Sequence, residues 1–154
     1  MSALESLYQE LILDHSKHPH ARGLASEEGR TATSHQHNPI CGDDITLRAR
    51  VSDDGETLTS VTWEGAGCSI SQASASMLAS LVDDRIEAGD PLSRQEAIDL
   101  IGGFREVLRS RGKQELDEDV YGDATALSGV SKFTARVKCA MLAWVALEDA
   151  LPRA

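Results

Sequence analysis

Ile45-Thr46-Leu47-Arg48-Ala49-Arg50-Val51, the turn Asp53-Asp54-Gly55 and the return Thr57-Leu58-Thr59-Ser60-Val61-Thr62-Trp63 decide the fold class. Ile45, Leu47, Ala49 and Val51 alternate with Thr46, Arg48 and Arg50, which is the period of a strand buried on one face. Asp-Asp-Gly is turn chemistry, and the Thr, Val and Trp of the second run suit a hairpin partner. Upstream, residues 24 to 37 are polar without a clear period, and Thr31 to His37 reads as an edge strand. Downstream, the hairpin leaves through Gly65-Ala66-Gly67-Cys68.

Helical patterns lie before and after these strands. Leu4, Leu7, Tyr8, Leu11 and Ile12 give an amphipathic helix from Ala3 to about His15, which Pro19 and Gly23 stop. Ser69 is a candidate N-cap for a helix with the apolar stripe Ile70, Ala73, Met77 and Leu81. Its other faces carry Ser71, Ser74, Ala75 and Ser76, small enough for another backbone to approach closely. Pro91 and Ser93 open a helix through Ala97, Ile101, Phe104 and Leu108, weakened in the middle by Gly102-Gly103. Arg111 to Asp123 reads as a charged surface connection, partly helical. Ser131 opens a last helix through Phe133, Val137, Met141, Trp144 and Leu147, ending near Pro152. The expectation is an α+β fold, a small antiparallel sheet of about three strands packed against helices.

The 154 residues favour a single domain over 1–154, large enough to bury a core without disulfides. No apolar run approaches the ~18 residues of a membrane span. The start, Met1-Ser2-Ala3-Leu4-Glu5, lacks the basic and apolar regions of a signal peptide, so a cytoplasmic location is expected. Fifteen Lys and Arg stand against 25 Asp and Glu, a net charge of −10. That balance opposes phosphate binding and makes nucleic acid an unsuitable partner, while it suits docking on a basic protein surface.

The chemistry concentrates on three cysteines, Cys41, Cys68 and Cys139. Their number is odd, and 71 positions separate Cys68 from Cys139, so no local Cys-x-x-Cys site exists and any shared site is assembled by the fold. Cys41 sits in Asn38-Pro39-Ile40-Cys41-Gly42-Asp43 at the start of a strand. Cys68 lies where a strand passes into a helix, a position that favours a thiolate. Cys139 lies in the last helix. Three thiolates and the Asp43 carboxylate would make a tetrahedral set for Zn²⁺, with a net charge of about −2. Arg136 lies on nearly the same helical face as Cys139 and is the better candidate to offset that charge; Lys138 points roughly 100° away.

Plainer readings stand beside these. Cys139 also fits a small buried apolar residue, Asp43 a turn residue, and Arg136 and Lys138 a solvated helix face. His35 and His37 lie close to Cys41 and are metal-ligating types, yet a polar lead-in strand exposes such residues. His15, His18 and His20 sit at a helix end, where they suit its dipole. The serine-rich helix lacks the Gly-x-Ser-x-Gly elbow and a base, so its serines read as packing.

Together Asn38-Pro39-x-Cys41-Gly42-Asp43, Gly65-x-Gly67-Cys68-x-x-Ser71-x-Ala73-Ser74 and Arg136-x-x-Cys139 resemble the U-type iron–sulfur assembly proteins. So does Leu7-Tyr8-Gln9-Glu10-Leu11-Ile12-Leu13-Asp14-His15 followed by Pro19 and Gly23, so the resemblance spans essentially the whole chain. It implies a SufE/IscU-like fold. One branch, the IscU scaffolds, builds a [2Fe–2S] cluster and has histidine before its last cysteine, where this chain has Lys138. The SufU branch carries a different residue there and a longer segment between the second and third cysteines, here within about 84–127. Resemblance to SufU implies zinc held by Cys41, Asp43, Cys68 and Cys139, and sulfur accepted from a SufS-type cysteine desulfurase and passed to downstream Suf scaffold proteins. It further implies that Cys41 takes the persulfide sulfur once a desulfurase histidine displaces it from the metal, with Arg136 steadying the sulfur's charge. The alternative it implies is an IscU-like [2Fe–2S] scaffold using the same ligands.

Overall fold

The computed structural model describes residues 3–154. The quoted hairpin forms the centre and one edge of a three-stranded antiparallel sheet in the order β1-β2-β3, with β1 Arg30–Asn38, β2 Asp43–Val51 and β3 Leu58–Ala66. The expected edge strand is β1. Alternate residues of β2, from Asp43 through Ile45, Leu47 and Ala49 to Val51, point into the core. Among the described residues five α-helices accompany the sheet: α1 Ala3–Lys17, α2 Ser69–Glu87, α3 Arg94–Leu108, the short α4 Glu118–Tyr121 and α5 Thr134–Ala150. A 3-10 segment, Gly122–Lys132, joins α4 to α5. Helix α5 lies across β1 and β2, α2 packs on β3, α1 and α5, and α3 packs on α5.

Helix α2 is the central helix. Residues on all its sides are buried, among them Ser71, Ser74, Ser76, Met77 and Leu78. Its small residues do admit a neighbouring backbone: the Ser74 hydroxyl donates to the Ala140 carbonyl of α5 at 2.6 Å and accepts the Trp144 indole N–H at 2.9 Å. The buried serines are therefore hydrogen-bonded, as burial of a hydroxyl demands. Trp144 in turn stacks on Phe104 of α3, with centroids 3.8 Å apart and planes 4° from parallel. Burial of aromatic side chains such as Trp63, Trp144 and Phe104 contributes about 2–3 kcal/mol each.

The helix ends depart from the sequence expectation in two places. Ser69 is the first residue of α2 rather than its cap; Cys68 holds the cap position and makes no side-chain capping bond. Ser131 belongs to the 3-10 segment, its hydroxyl bonded to the Ser128 carbonyl at 2.7 Å, and α5 starts after Phe133. Ser93 behaves as a helix-opening residue should. It caps α3 in a reciprocal box with Glu96. The segment 111–123 is less superficial than its charge suggests, because Leu116 and Tyr121 reach the core.

Helix α1 also differs from its expected stripe. Tyr8, Leu11 and Ile12 pack against the core but Leu4 and Leu7 face solvent, and α1 has no fully buried residue. Polar contacts hold its end instead. His15 bonds Ser76 through Nδ1 at 2.7 Å and Asp123 through Nε2 at 3.0 Å. The His20 backbone N–H donates to the same Ser76 hydroxyl at 2.7 Å, and its ring meets Asp83 at 2.6 Å. His15 and His20 are thus ties between elements, a role beyond the helix dipole. The chain then runs beside β3, where the Trp63 indole donates to the His20 carbonyl and Gly23 N–H to the Trp63 carbonyl.

Gly103 of the Gly102-Gly103 pair has a packing reason. A Cβ at Gly103 would lie 2.5 Å from the Tyr121 hydroxyl, which donates to the Leu100 carbonyl at 2.9 Å. Alanine for glycine in a helix is intrinsically worth about 1 kcal/mol. The expected outcome is that Gly103→Ala destabilises the native chain and is neutral or stabilising in a Tyr121→Phe background, a sign change read by urea unfolding. Burial also pushes the Tyr121 hydroxyl up to about 12 from 10.0. Its neutral form is favoured by folding, so its contribution is complete below pH 10 and is lost as pH rises through 12. Unfolding free energy measured across that window is expected to fall by at most about 2–3 kcal/mol more in the native chain than in Tyr121→Phe.

Candidate metal centre

The register of β1 against β2 places the site. Asn38 pairs with Asp43, leaving 39–42 as the hairpin loop. Asn38 closes it twice, its carbonyl accepting the Gly42 N–H at 2.8 Å and its Oδ1 the Ile40 N–H at 3.2 Å. Gly42 has φ +71°, a left-handed conformation that a side chain would strain. Cys41 is therefore presented at an exposed loop tip, while Asp43 begins β2 with no solvent exposure.

Cys68 reaches the same region from the end of β3. Its N–H donates to Asp43 Oδ1 at 2.8 Å, and its Sγ lies 4.0 Å from Oδ2. The Ser71 hydroxyl adds a second bond to Oδ1 at 3.3 Å. A Cβ at Gly67 would strike the Asp43 carboxylate and the Ser71 hydroxyl, so glycine there is a spatial requirement. Cys139 arrives from α5. It is buried, with its Sγ 3.4 Å from that of Cys41 and 3.9 Å from Asn38 Nδ2. Burial foremost, followed by hydrogen bonding with Asp43 and Cys41, pushes the Cys139 thiol far above its ordinary range.

Of the four expected ligands, Cys41, Asp43 and Cys139 have ligand atoms within 4.8 Å of one another. Cys68 stands at the rim of that group, joined to it through Asp43. The donor chemistry fits zinc. Two thiolates on one tetrahedral zinc, with bonds of about 2.3 Å, lie about 3.8 Å apart, close to the Cys41–Cys139 separation. Asp43 is a fully buried carboxylate that, among the described residues, has no ion pair, a situation that a bound cation relieves.

The other candidates separate. Arg136 is exposed, with its guanidinium 5.2 Å from the centre of the Phe133 ring. Lys138 is exposed and lines a cavity of about 610 Å³ beside the loop, together with Pro39, Ile40 and Arg109. His35 and His37 turn away from the thiols towards Asp44. The sequence reading gave Asn38 and Ser71 no role of their own; Ser71, three residues after Cys68 at the start of a helix, carried the usual signal of a backbone-directed hydroxyl.

Residues 7–150 match the NifU-like N-terminal domain family. The chain belongs to it. Among curated relatives, a zinc-dependent sulfurtransferase SufU of Bacillus subtilis strain 168 is 36% identical over 150 residues, 97% of this chain and 92% of that one. An iron–sulfur cluster assembly scaffold protein IscU of Streptococcus pyogenes serotype M1 is 36% identical over 153 residues, 99% of this chain and 87% of that one. A crystal structure from Fervidobacterium islandicum AW-1, described as a candidate iron–sulfur cluster assembly scaffold for the SUF system, superposes with a TM-score of 0.74. That likeness is at 30% identity and covers 96% of this chain and 98% of that one. This member of the NifU-like family thus has the SufU/IscU fold.

If the group holds zinc, Asp43→Ala removes both a ligand and the acceptor of the Cys68 N–H. The expected result is more than about tenfold weaker zinc retention against a competing chelator, with a lower melting temperature of the zinc-loaded form. Unchanged retention would remove Asp43 from the ligand set.

Proposed function

We propose that this chain is a zinc-containing sulfur-transfer protein of iron–sulfur cluster biogenesis, accepting sulfur on Cys41 from the persulfide of a SufS-type cysteine desulfurase. The observation that carries the reading is the unequal setting of two neighbouring thiols: Cys41 exposed at a hairpin tip, Cys139 buried 3.4 Å behind it. Of these two only the first is placed to meet a sulfur on another protein; Cys68 is exposed as well, but it is held at the N-cap of α2 rather than on a hairpin tip. Bound zinc would keep the clustered thiols deprotonated and, with four protein ligands, leave no open position for water.

The chain's own part in the reaction is a thiol–persulfide exchange. The Cys41 thiolate attacks the outer sulfur of the donor persulfide. A new sulfur–sulfur bond forms at Cys41, the old one breaks, and the desulfurase cysteine leaves as thiolate. Charge and atoms balance with no added redox partner. We assign Arg136, three residues before Cys139 on α5, to steady the transferred sulfur's charge, which its exposed position at the end of the helix allows. On this reading the insertion of the SufU branch lies within about 84–127, the stretch that contains α3 and α4, and downstream Suf scaffold proteins receive the sulfur.

A second reading has a specific observation behind it, because an IscU scaffold matches at the same 36% identity as the SufU relative. On that reading the same ligands hold a [2Fe–2S] cluster. Lys138 argues against it, since a lysine before Cys139 supplies no imidazole to a cluster.

Protein purified without added metal is expected to carry zinc. After incubation with desulfurase and L-cysteine, mass spectrometry should find one added sulfur atom on Cys41. Cys41→Ala is expected to abolish that adduct and the stimulation of the desulfurase while leaving the chain folded. Full stimulation by Cys41→Ala would overturn the acceptor assignment, and iron with acid-labile sulfide in the native protein would move the reading to the scaffold.

A further inference from the structure

On the outer face of the sheet, opposite the core, strand alternation places a second set of metal-ligating side chains. His35 and His37 both point outward from β1. The register sets His37 directly across from Asp44 of β2 and His35 across from Thr46, one step diagonally from Asp44. Both rings turn to that one carboxylate: His35 Nε2 is 2.7 Å from Oδ1, and His37 Nδ1 is 3.6 Å from Oδ2. We propose that His35, His37 and Asp44 form a surface site for a divalent first-row transition ion, separate from the cysteine group.

The contacts in place are direct pairs of each imidazole with Asp44, near the spacing that ligands of one ion adopt. Nitrogen and oxygen ligands about 2.1 Å from a common metal lie about 3.0–3.4 Å from each other, and the two observed separations bracket that range. Two neutral imidazoles and one carboxylate select zinc, nickel, cobalt or copper over calcium and magnesium, which prefer all-oxygen sites. The set is not preassembled. Among the described residues only Cys41, Asp43 and Cys139 have ligand atoms all within 4.8 Å. The two rings that would close on the ion are exposed, 58% and 51% accessible, and so free to turn about their side-chain bonds. An i, i+2 pair on a strand lies about 6.6 Å apart along the chain, within reach of a single ion between the rings.

The surroundings favour a cation. Glu64, on the same face of β3, is held by Arg22 and the Gly65 N–H. Arg48, further along β2, is engaged by Thr33, the Ala25 carbonyl and Glu27, so its charge is turned away. The chain's charge of −10 adds a general attraction for divalent ions. In the absence of metal the histidines form exposed pairs with Asp44, which contribute little and are readily displaced.

The inference does not rest on the sulfur-transfer reading, and its test uses protein never exposed to a desulfurase. Full-length chain with its thiol site already loaded with zinc is titrated with Ni²⁺ by calorimetry near neutral pH. One additional equivalent is expected. His35→Gln and His37→Gln should each weaken it by more than about tenfold, the lower end for loss of even a supporting partner, with zinc content and melting temperature unchanged. Ring resonances of His35 and His37 should shift on addition of nickel-site zinc, and the other histidines should not. No additional equivalent, or one whose affinity is the same in the double variant His35→Gln/His37→Gln, overturns the proposal.

Discussion

A single buried carboxylate holds the architecture of this protein together at its functional end. Asp43 opens β2, is wholly removed from solvent, and accepts the Cys68 N–H and the Ser71 hydroxyl from the first turn of α2. Burying a charge costs several kcal/mol unless its surroundings answer it, and here the answer comes from the start of another element. The sheet and the central helix are thereby fastened at one point. Gly67 must lack a side chain for the two to meet, and the loop 39–42 must return in time for Asn38 to face Asp43 across the ladder. The positions of all three thiols follow from that fastening and from the packing of α5 on β1 and β2.

The thiols differ because their supports differ. Cys41 is carried by a loop and meets solvent; Cys139 is carried by a helix pressed on the sheet and meets its neighbours. A thiol in the second setting resists ionisation, and one in the first is free to approach another molecule. Position in the fold alone separates a group that stays from a group that reaches out.

Much of this was legible in the residues. The alternation over Ile45–Val51 marked a half-buried strand because period two has no helical counterpart, and Ser93 marked a helix start because Glu96 follows at the distance of a capping box. Cys41 and Cys139 meet only through tertiary packing, and the four-ligand set was expected from the chemistry of the residues and from motif resemblance, since local spacing offers no site. What stayed hidden was non-local. The N–H of Cys68, the residue at the cap position of α2, is bound by Asp43 on a distant strand, so Ser69 was the natural local reading. The burial of Tyr121 depends on an absent side chain at Gly103, which composition registers only as a weak helix position. The 3-10 segment 122–132 has no period that distinguishes it from a loop or from the first turn of α5.

The way α1 is attached gives the molecule an uneven cohesion. Its fifteen residues contribute no fully buried side chain, and its far end is secured by imidazole contacts to Ser76, Asp123 and Asp83 rather than by interdigitated apolar groups. Local opening free energy scales with buried apolar area lost, so α1 is the part of the protein that detaches at least expense while the sheet, α2 and α5 stay intact. Its amide protons are accordingly expected to exchange through a sub-global opening, before those of the Trp144 layer. Tyr8 and Ile12 of α1 line one cavity together with Ser69 and Ile70 of α2, so detachment would bare that patch. The N-terminal helix is in that sense a removable cover over the first turn of α2.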